Sequence, residues 1–182
     1  MRKFALGLII VAACATSGTS GRDTQRKDRI LGVDAQTSEV MHTQSSDGPV
    51  SATLHASTDA VWKALPAAYA GLGIDLMVID RPSGTIGNRS FIRTRTLAGK
   101  RLSAYFECGS SMTGLRADEG RVTAASVTRV TAASDGETQL STTVAGVVQT
   151  VEGSSAQSIP CASTGALEEA IRNAVARQLS GM

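Results

Sequence analysis

The chain has 182 residues, of which 19% are charged and only 3% aromatic, with 18 basic residues against 16 acidic ones. This length suits one domain with a tail. Loss of Arg2 and Lys3 with the export signal described below would leave equal numbers of basic and acidic residues. Nucleic-acid-binding proteins usually have a strong basic excess, so the composition argues against a nucleic-acid partner.

The first residues are typical of an export signal. Arg2 and Lys3 precede an uncharged apolar run from Phe4 to Ala13. This run is too short to cross a hydrocarbon layer about 30 Å thick. A basic start, a short apolar run and small residues at its end indicate a secretory signal. Residues 1–13 are therefore predicted to be a signal peptide.

The end of this segment, Val11-Ala12-Ala13-Cys14, resembles the lipobox of bacterial lipoproteins. The resemblance implies cleavage before Cys14 and acylation of its sulfur and of the new amino group. Ala15, where some lipoproteins have Asp, resembles sequences that are sorted to the outer membrane. The alternative is an ordinary secreted protein in which a cysteine follows the apolar run by chance.

Two further cysteines, Cys108 and Cys161, remain once Cys14 is assigned to lipid. An even remainder in an exported protein favours a disulfide between them. The alternatives are two free thiols or half of a metal site.

The chain is expected to divide into three parts. Residues 1–13 are the signal peptide, residues 14–48 a lipidated cysteine with a flexible tether, and residues 49–182 one α+β domain. The tether is small, polar and mixed in charge, a composition that cannot bury enough apolar surface to offset the entropy of ordering. Its few apolar residues are either scattered or form a short docking segment.

Periodicity within residues 49–182 predicts alternating elements. Period-two patterns predict strands, and apolar residues at spacings of three and four predict helices. In chain order these are a strand over 50–54, a helix capped by Ser57 or Thr58 and ended by Gly71 and Gly73, strands over 74–79, 85–94, 101–108, 122–133 and 139–148, and a helix capped by Ser163 or Thr164. Pro66 is expected to kink or split the first helix. Loops are expected over 109–120 and 153–160, and tight turns at Asp80–Gly84 and Asp135-Gly136.

The predicted fold class is α+β. A curved antiparallel sheet of five to six strands is packed by a long C-terminal helix, in the order β-α-β-β-β-β-β-α.

The run at residues 61–66, VWKALP, followed by GLG at 71–73 and then by Asp80-Arg81 and Gly84, resembles a repeat of the BamC family, lipoproteins of the outer-membrane β-barrel assembly machinery. It also resembles single-domain lipoproteins of similar layout. The resemblance implies a helix-grip arrangement and an accessory or scaffold role without chemistry of its own. The chain departs from that pattern in having one such domain, a shorter tether, and a cysteine pair.

Sequence motifs for chemistry are missing. The sequence has no HExxH, GxSxG, P-loop or strand-linked GxGxxG motif, so neither an enzyme nor a cofactor is predicted. His42 lies in the tether and His55 on the first strand. A site made of Cys108, Cys161 and His55 matches no common zinc spacing.

Two acidic pairs are interpreted as charges without a role in catalysis or metal binding. Glu168 and Glu169 lie near the start of the last helix, where they favour its dipole. Asp118 and Glu119 lie in a glycine-bounded loop that lacks further calcium ligands.

One basic cluster is a candidate for an anionic partner, such as lipid headgroups or a glycan phosphate. Its members share strand parity or follow across the next turn, and they are Arg89, Arg93, Arg95, Lys100 and Arg101. The alternative is a solvated face whose charges are paired by Asp75, Asp80 and Glu107.

Three functions remain from the sequence. The first is a non-enzymatic lipoprotein, anchored at the periplasmic face of the outer membrane and acting as a scaffold or interaction module for an envelope protein. The second is a module that binds a small apolar ligand or lipid between the sheet and the last helix. The third, an enzyme, has no supporting residues.

Overall fold

A computed structural model of the chain describes residues 27–32, 40–45, 49–152 and 155–181, and the side chains of 49–134, 136–150 and 156–181. Within these residues it is an α+β fold, with a seven-stranded antiparallel sheet, two smaller strand pairs and three helices. The sheet is open and the last helix is C-terminal, which confirms the predicted fold class.

The elements have these bounds. The strands are β1 (Lys27–Gly32), β2 (Val40–Ser45), β3 (Val50–Leu54), β4 (Val78–Asp80), β5 (Thr85–Thr94), β6 (Thr96–Leu97), β7 (Lys100–Arg101), β8 (Phe106–Glu107), β9 (Arg121–Ala132), β10 (Thr138–Glu152) and β11 (Ser155–Ser163). The helices are α1 (Thr58–Gly71), α2 (Arg116–Glu119) and α3 (Ala166–Ser180). Strand order in the main sheet is β4-β5-β9-β10-β11-β8, and β3 also pairs with β10.

The hairpin of β9 and β10 is the centre of the sheet. The turn predicted at Asp135-Gly136 is confirmed, and Thr138 pairs with Ala132 just beyond it. Even-numbered residues of both strands face the helices, as the period of two requires. On β9 the buried ones are Val122, Ala124, Ser126, Thr128 and Val130. The core lies between this face and the helices.

Helix α1 begins and ends where the sequence predicted. The Ser57 hydroxyl accepts a hydrogen bond from the Ala60 amide at 3.3 Å, as an N-cap does. After Gly71, the Gly73 amide donates to the Ala70 carbonyl at 2.9 Å with φ at +72°. Glycine adopts this left-handed conformation without a Cβ penalty, so it closes the helix.

Pro66 does not split α1, so this part of the prediction is wrong. The helix is continuous from Thr58 to Gly71. Pro66 lies on the exposed side, where water can satisfy the carbonyl that loses its amide donor.

Helix α3 packs against the sheet, as predicted, and also against α1. Its apolar face buries Leu167, Ile171 and Val175. Its predicted cap is wrong, because the N-cap residue is Gly165 with φ at +83°. The hydroxyls of Ser163 and Thr164 instead accept amide bonds in the turn before the helix.

The strand predicted over 101–108 is wrong. The chain there forms β7, a 3-10 turn at Leu102–Ala104 and then β8. This turn buries Leu102, Tyr105 and Phe106 together, whereas Ala104 is exposed. The apolar spacing of three and four was therefore a turn signal rather than a strand signal.

Other bounds also differ from the prediction. The strand predicted over 74–79 is reduced to β4, whereas the turn at Asp80–Gly84 is confirmed. The loop predicted over 109–120 contains the short helix α2.

The loop predicted over 153–160 is largely strand β11, which raises the strand number above the predicted five to six. Pro160 pairs opposite Val147 of β10. On the other side of β11, strand β8 pairs only with Ala162 and Ser163, so no β8 residue needs an amide from Pro160.

Part of the predicted tether is also strand. β1 and β2 pair antiparallel from Lys27 opposite Ser45 to Gly32 opposite Val40, and β2 lies near β11. The prediction of coil is wrong for these two stretches. The signal peptide and Cys14 lie outside the described residues.

Candidate functional site

The basic cluster does not share one face. Strand β5 has a register shift between Asn88 and Phe91. These two residues pair with positions two apart on β9, so both point toward the helices. The bulge therefore breaks the parity that placed Arg89 beside Arg93, and Arg89 is exposed. The five-residue cationic face is a wrong prediction.

Arg93 has a structural role. Its guanidinium lies 5.4 Å from the ring centroid of Phe91 and donates to the Ile92 carbonyl at 2.7 Å. It also donates to the carbonyl of Gly73, just after α1. These contacts hold the end of β5 against the end of α1, so Arg93 is not an open contact for a partner.

Arg95 and Arg101 do come together. They line an open pocket of about 580 Å³ with Thr96, Asp118 and Glu119, between α2 and the hairpin of β6 and β7. Thr96 pairs directly opposite Arg101 in that hairpin. Lys100, the remaining member of the predicted cluster, is exposed on the same hairpin.

The backbone at this pocket is unusual. Arg95 has φ at +64° and Ala98 at +48°, both in the left-handed region. The Leu102 amide donates to the Arg95 carbonyl at 2.9 Å and so holds this conformation. Left-handed backbone is costly for residues with a Cβ, and such residues are concentrated at functional sites.

The two acids of the pocket already have partners. Asp118 accepts from the Ser103 amide at 2.9 Å and from the Ser103 hydroxyl at 2.8 Å. Glu119 accepts from the Ser111 hydroxyl at 2.7 Å. Arg101 lies 3.8 Å from Asp118, at the outer limit of an ion pair. Asp118 is thus a structural acceptor rather than the solvated charge the sequence suggested.

Cys108 and Cys161 form the predicted pair. Their Sγ atoms lie 2.00 Å apart and both residues are buried. The pair joins the segment after β8 to β11. Gly146, opposite Cys161, has no Cβ, and a Cβ there would lie 2.8 Å from the Phe106 ring, so this glycine permits the close packing.

A second open pocket of about 240 Å³ lies beside the disulfide. Its lining includes Phe106, Cys108, Leu115 and Thr164. Thr164 also donates its hydroxyl to the Ala104 carbonyl at 2.7 Å, so the pocket wall is tied to the start of α3. Nothing in the sequence analysis identified this pocket.

A chain of hydroxyls lies inside the core. Tyr69 of α1 is hydrogen-bonded to Thr128 at 2.8 Å and to Ser126 at 3.4 Å, both on β9. Thr128 is bonded in turn to Thr142 of β10 at 2.9 Å. Burial raises the pKa of Tyr69, and the hydroxyl bonds partly oppose this. The strand parity of Ser126 and Thr128 could have predicted that they face inward.

Glu168 is buried. Its place in the sequence indicated only a charge that favours the helix dipole. One carboxyl oxygen accepts from the Ser163 hydroxyl at 2.7 Å, whereas the other is buried without a partner among the described residues. Burial raises the pKa of Glu168. Its spacing of three and seven from Ile171 and Val175 places it on the apolar face. Glu169 is exposed and pairs with Arg172 at 3.1 Å.

The described residues hold no group of three or more potential metal ligands. His55 is exposed, and its Nδ1 lies 2.5 Å from Glu137. Because Cys108 and Cys161 are bonded to each other, neither offers a thiolate to a metal with His55. The side chain of His42 lies outside the described residues.

The space between α3 and the sheet is packed with side chains. Leu167, Ile171 and Val175 belong to one core cluster with Leu140 and Val144 of β10. This packing does not favour the alternative of an apolar ligand held between sheet and helix. No helix among the described residues is both long and apolar enough to span a membrane.

Comparison of the chain with known protein families and with curated proteins finds no match. The resemblance to the BamC family therefore stays a prediction.

Proposed function

We propose that this chain is a lipid-anchored lipoprotein of the cell envelope whose α+β domain is a non-enzymatic interaction or scaffold module. The observation that supports this most is the N-terminal sequence, where a basic start and an apolar run end in Val11-Ala12-Ala13-Cys14. Two or three acyl chains on one residue, each contributing about 0.8 kcal/mol per buried CH₂, anchor a protein effectively permanently.

The cysteine pairing supports export. Cys108 and Cys161 are bonded to each other, so of the three cysteines in the sequence Cys14 is the one outside this disulfide. Disulfides persist in oxidising compartments, and an unpaired cysteine in an exported chain calls for a separate explanation. Acylation of Cys14 supplies that explanation.

The proposed location is the periplasmic face of the outer membrane, and the proposed partner is another envelope protein. Ala15 after the lipidated cysteine supports the first point, and the resemblance of residues 61–66 to BamC repeats supports the second. No residue is assigned a chemical step, because the sequence lacks the usual catalytic motifs and the core hydroxyls of Tyr69, Thr128 and Thr142 are hydrogen-bonded to one another.

The test is incorporation of labelled palmitate in cells that express the chain. Wild type should be labelled and should fractionate with membranes, and Cys14→Ser should take up no label. The matched control is Cys108→Ala with Cys161→Ala, which also removes cysteines but should keep the label. An unlabelled wild-type chain would contradict the anchor.

The scaffold role has its own test. Pull-down of the wild-type chain from detergent-solubilised envelope should recover an envelope protein that a chain with Cys14→Ser recovers in much smaller amounts. Recovery of no protein, together with a stoichiometric lipid detected by mass spectrometry, would instead support a ligand-binding module.

A further inference from the structure

We propose that the pocket between α2 and the hairpin of β6 and β7 is a binding site for a phosphoryl group. The site is defined by Arg95, Thr96 and Arg101, with Asp118 and Glu119 on its far wall. It does not depend on the membrane anchor, because every residue in it belongs to the folded domain.

The pocket collects hydrogen-bond donors. Arg95, Thr96 and Arg101 line the same opening, and Thr96 and Arg101 are fixed opposite each other by strand pairing. In the part of the chain that the structure describes, Arg95 forms no ion pair, and Arg101 has only the 3.8 Å contact with Asp118. The guanidiniums thus have donors to offer.

The acids of the pocket already accept hydrogen bonds from other groups. Both oxygens of Asp118 accept from Ser103, and Glu119 accepts from Ser111. These hydrogen bonds occupy acceptor positions of both carboxylates, so the acids compete less for the donors of Arg95 and Arg101. Their two negative charges balance those of the two arginines, which disfavours a long polyanion such as nucleic acid and leaves a small anion to be bound by directed hydrogen bonds.

The backbone at Arg95 points to a role for its side chain. Its φ of +64° suits glycine or asparagine better than arginine. An arginine held at such a position is explained if the left-handed turn directs its guanidinium to a ligand.

The ligand class follows from the number and shape of the donors. A guanidinium forms two parallel hydrogen bonds with one phosphate or carboxylate edge. Two guanidiniums and a hydroxyl offer more donors than the two oxygens of a carboxylate can accept. A phosphoryl group has enough oxygens for all three residues, and it can belong to a phosphomonoester or to a lipid headgroup.

The experiment is NMR titration of the isotope-labelled full chain, with inorganic phosphate as one probe and dihexanoyl phosphatidylglycerol below its micellar concentration as the other. Sodium chloride at equal ionic strength is the reference. Signals of residues 95–101 and 118–119 should shift in a saturable way with at least one probe. Saturation with phosphate indicates a general phosphoryl site, and saturation only with the lipid indicates a headgroup site.

The variant pair makes the test specific. Arg95→Asn with Arg101→Gln should weaken binding by about tenfold or more, because each lost charged contact is of that order. The control, Arg129→Gln with Arg177→Gln, removes the same charge from exposed positions. Arg121 pairs opposite Thr94, the residue before Arg95, and Arg129 lies eight residues further along β9, or about 26 Å away at the usual rise of a strand. No saturable shift with either probe, or equal weakening in both variants, would overturn the proposal. Circular dichroism of each variant checks that it is folded.

Discussion

The hydroxyl groups of Tyr69 and Thr128 meet inside the core at 2.8 Å and join α1 to the central strand β9. Thr128 continues the connection to Thr142 of β10. A buried polar group is costly unless it is paired, so these three hydroxyls satisfy one another. The chain of bonds fixes how α1 sits on the two longest strands.

Replacing Tyr69 with Phe should lower the free energy of unfolding by about 1–2 kcal/mol. The ring is retained, but Thr128 and Ser126 lose a buried partner. Urea denaturation at neutral pH measures this. Tyr105→Phe is the control, because Tyr105 is equally buried but stands outside the hydroxyl chain. Equal losses in the two variants would contradict a special role for the Tyr69 hydroxyl.

Glu168 should make the domain less stable as the pH rises. Its pKa in the folded state is raised above the ordinary value of 4.5 by burial, so the folded chain holds the proton to higher pH than the unfolded chain. The stabilisation is present below about pH 4.5 and is lost as the pH rises through the folded-state pKa. Glu168→Gln should therefore flatten the pH dependence of the unfolding free energy over this range.

The control for this effect is Glu169→Gln. Glu169 is adjacent to Glu168 but is exposed and paired with Arg172. Urea denaturation at a series of pH values compares the two variants with wild type. If Glu168→Gln keeps the wild-type pH dependence, the buried carboxyl is not its cause.

Removing the disulfide should lower the free energy of unfolding by about 4 kcal/mol. Cys108 and Cys161 are 53 residues apart, and chain-entropy estimates for a loop of this length give that value. Cys108→Ala with Cys161→Ala should lower the denaturation midpoint of the chain, and a reducing agent should lower that of wild type in the same direction. The double variant should not respond to the reducing agent. If the reducing agent also leaves the denaturation midpoint of wild type unchanged, the pairing of Cys108 with Cys161 is contradicted.

Replacing Arg95 with Asn should raise the free energy of unfolding by up to about 1 kcal/mol. Asparagine tolerates the left-handed conformation that Arg95 adopts, so the backbone strain falls. Lys100→Asn in the same hairpin is the control, since Lys100 is not among the residues with positive φ. Thermal unfolding of both variants decides whether the gain is specific to Arg95. A loss of stability at Arg95 would mean that its side chain is needed for folding.

Local patterns in the sequence were sufficient for much of the fold. The cap at Ser57, the end of α1 at Gly73 and the hairpin at Asp135-Gly136 are short-range features, and each is where its residues predict. The alternation along β9 also holds, because the even-numbered residues of that strand are buried from Val122 to Val130.

Long-range contacts explain what the sequence did not predict. β11 forms because β10 provides an edge for it, although its own serines and Pro160 favour a loop. The 3-10 turn at Leu102–Ala104 is held by residues distant in the chain, because Asp118 accepts from the Ser103 amide and Thr164 donates to the Ala104 carbonyl. These outcomes depend on partners distant in the chain, which local propensity does not contain.

The candidate site also depends on contacts that local sequence patterns do not contain. The bulge after Asn88 separates Arg89 from Arg93, and no local signal marked it. The pocket of Arg95 and Arg101 depends on Asp118 reaching Ser103 across fifteen residues. The sequence predicted that Arg95 and Arg101 belong to one cationic face, whereas the structure places them in the lining of a pocket that also contains acids.

The most direct test of the account is the intact mass of the chain purified from envelope membranes. The account predicts a polypeptide that begins at Cys14, has the added mass of two or three fatty acyl chains, and lacks the two hydrogen atoms that one disulfide removes. A polypeptide that begins elsewhere, or that begins at Cys14 with no added acyl mass, would contradict it.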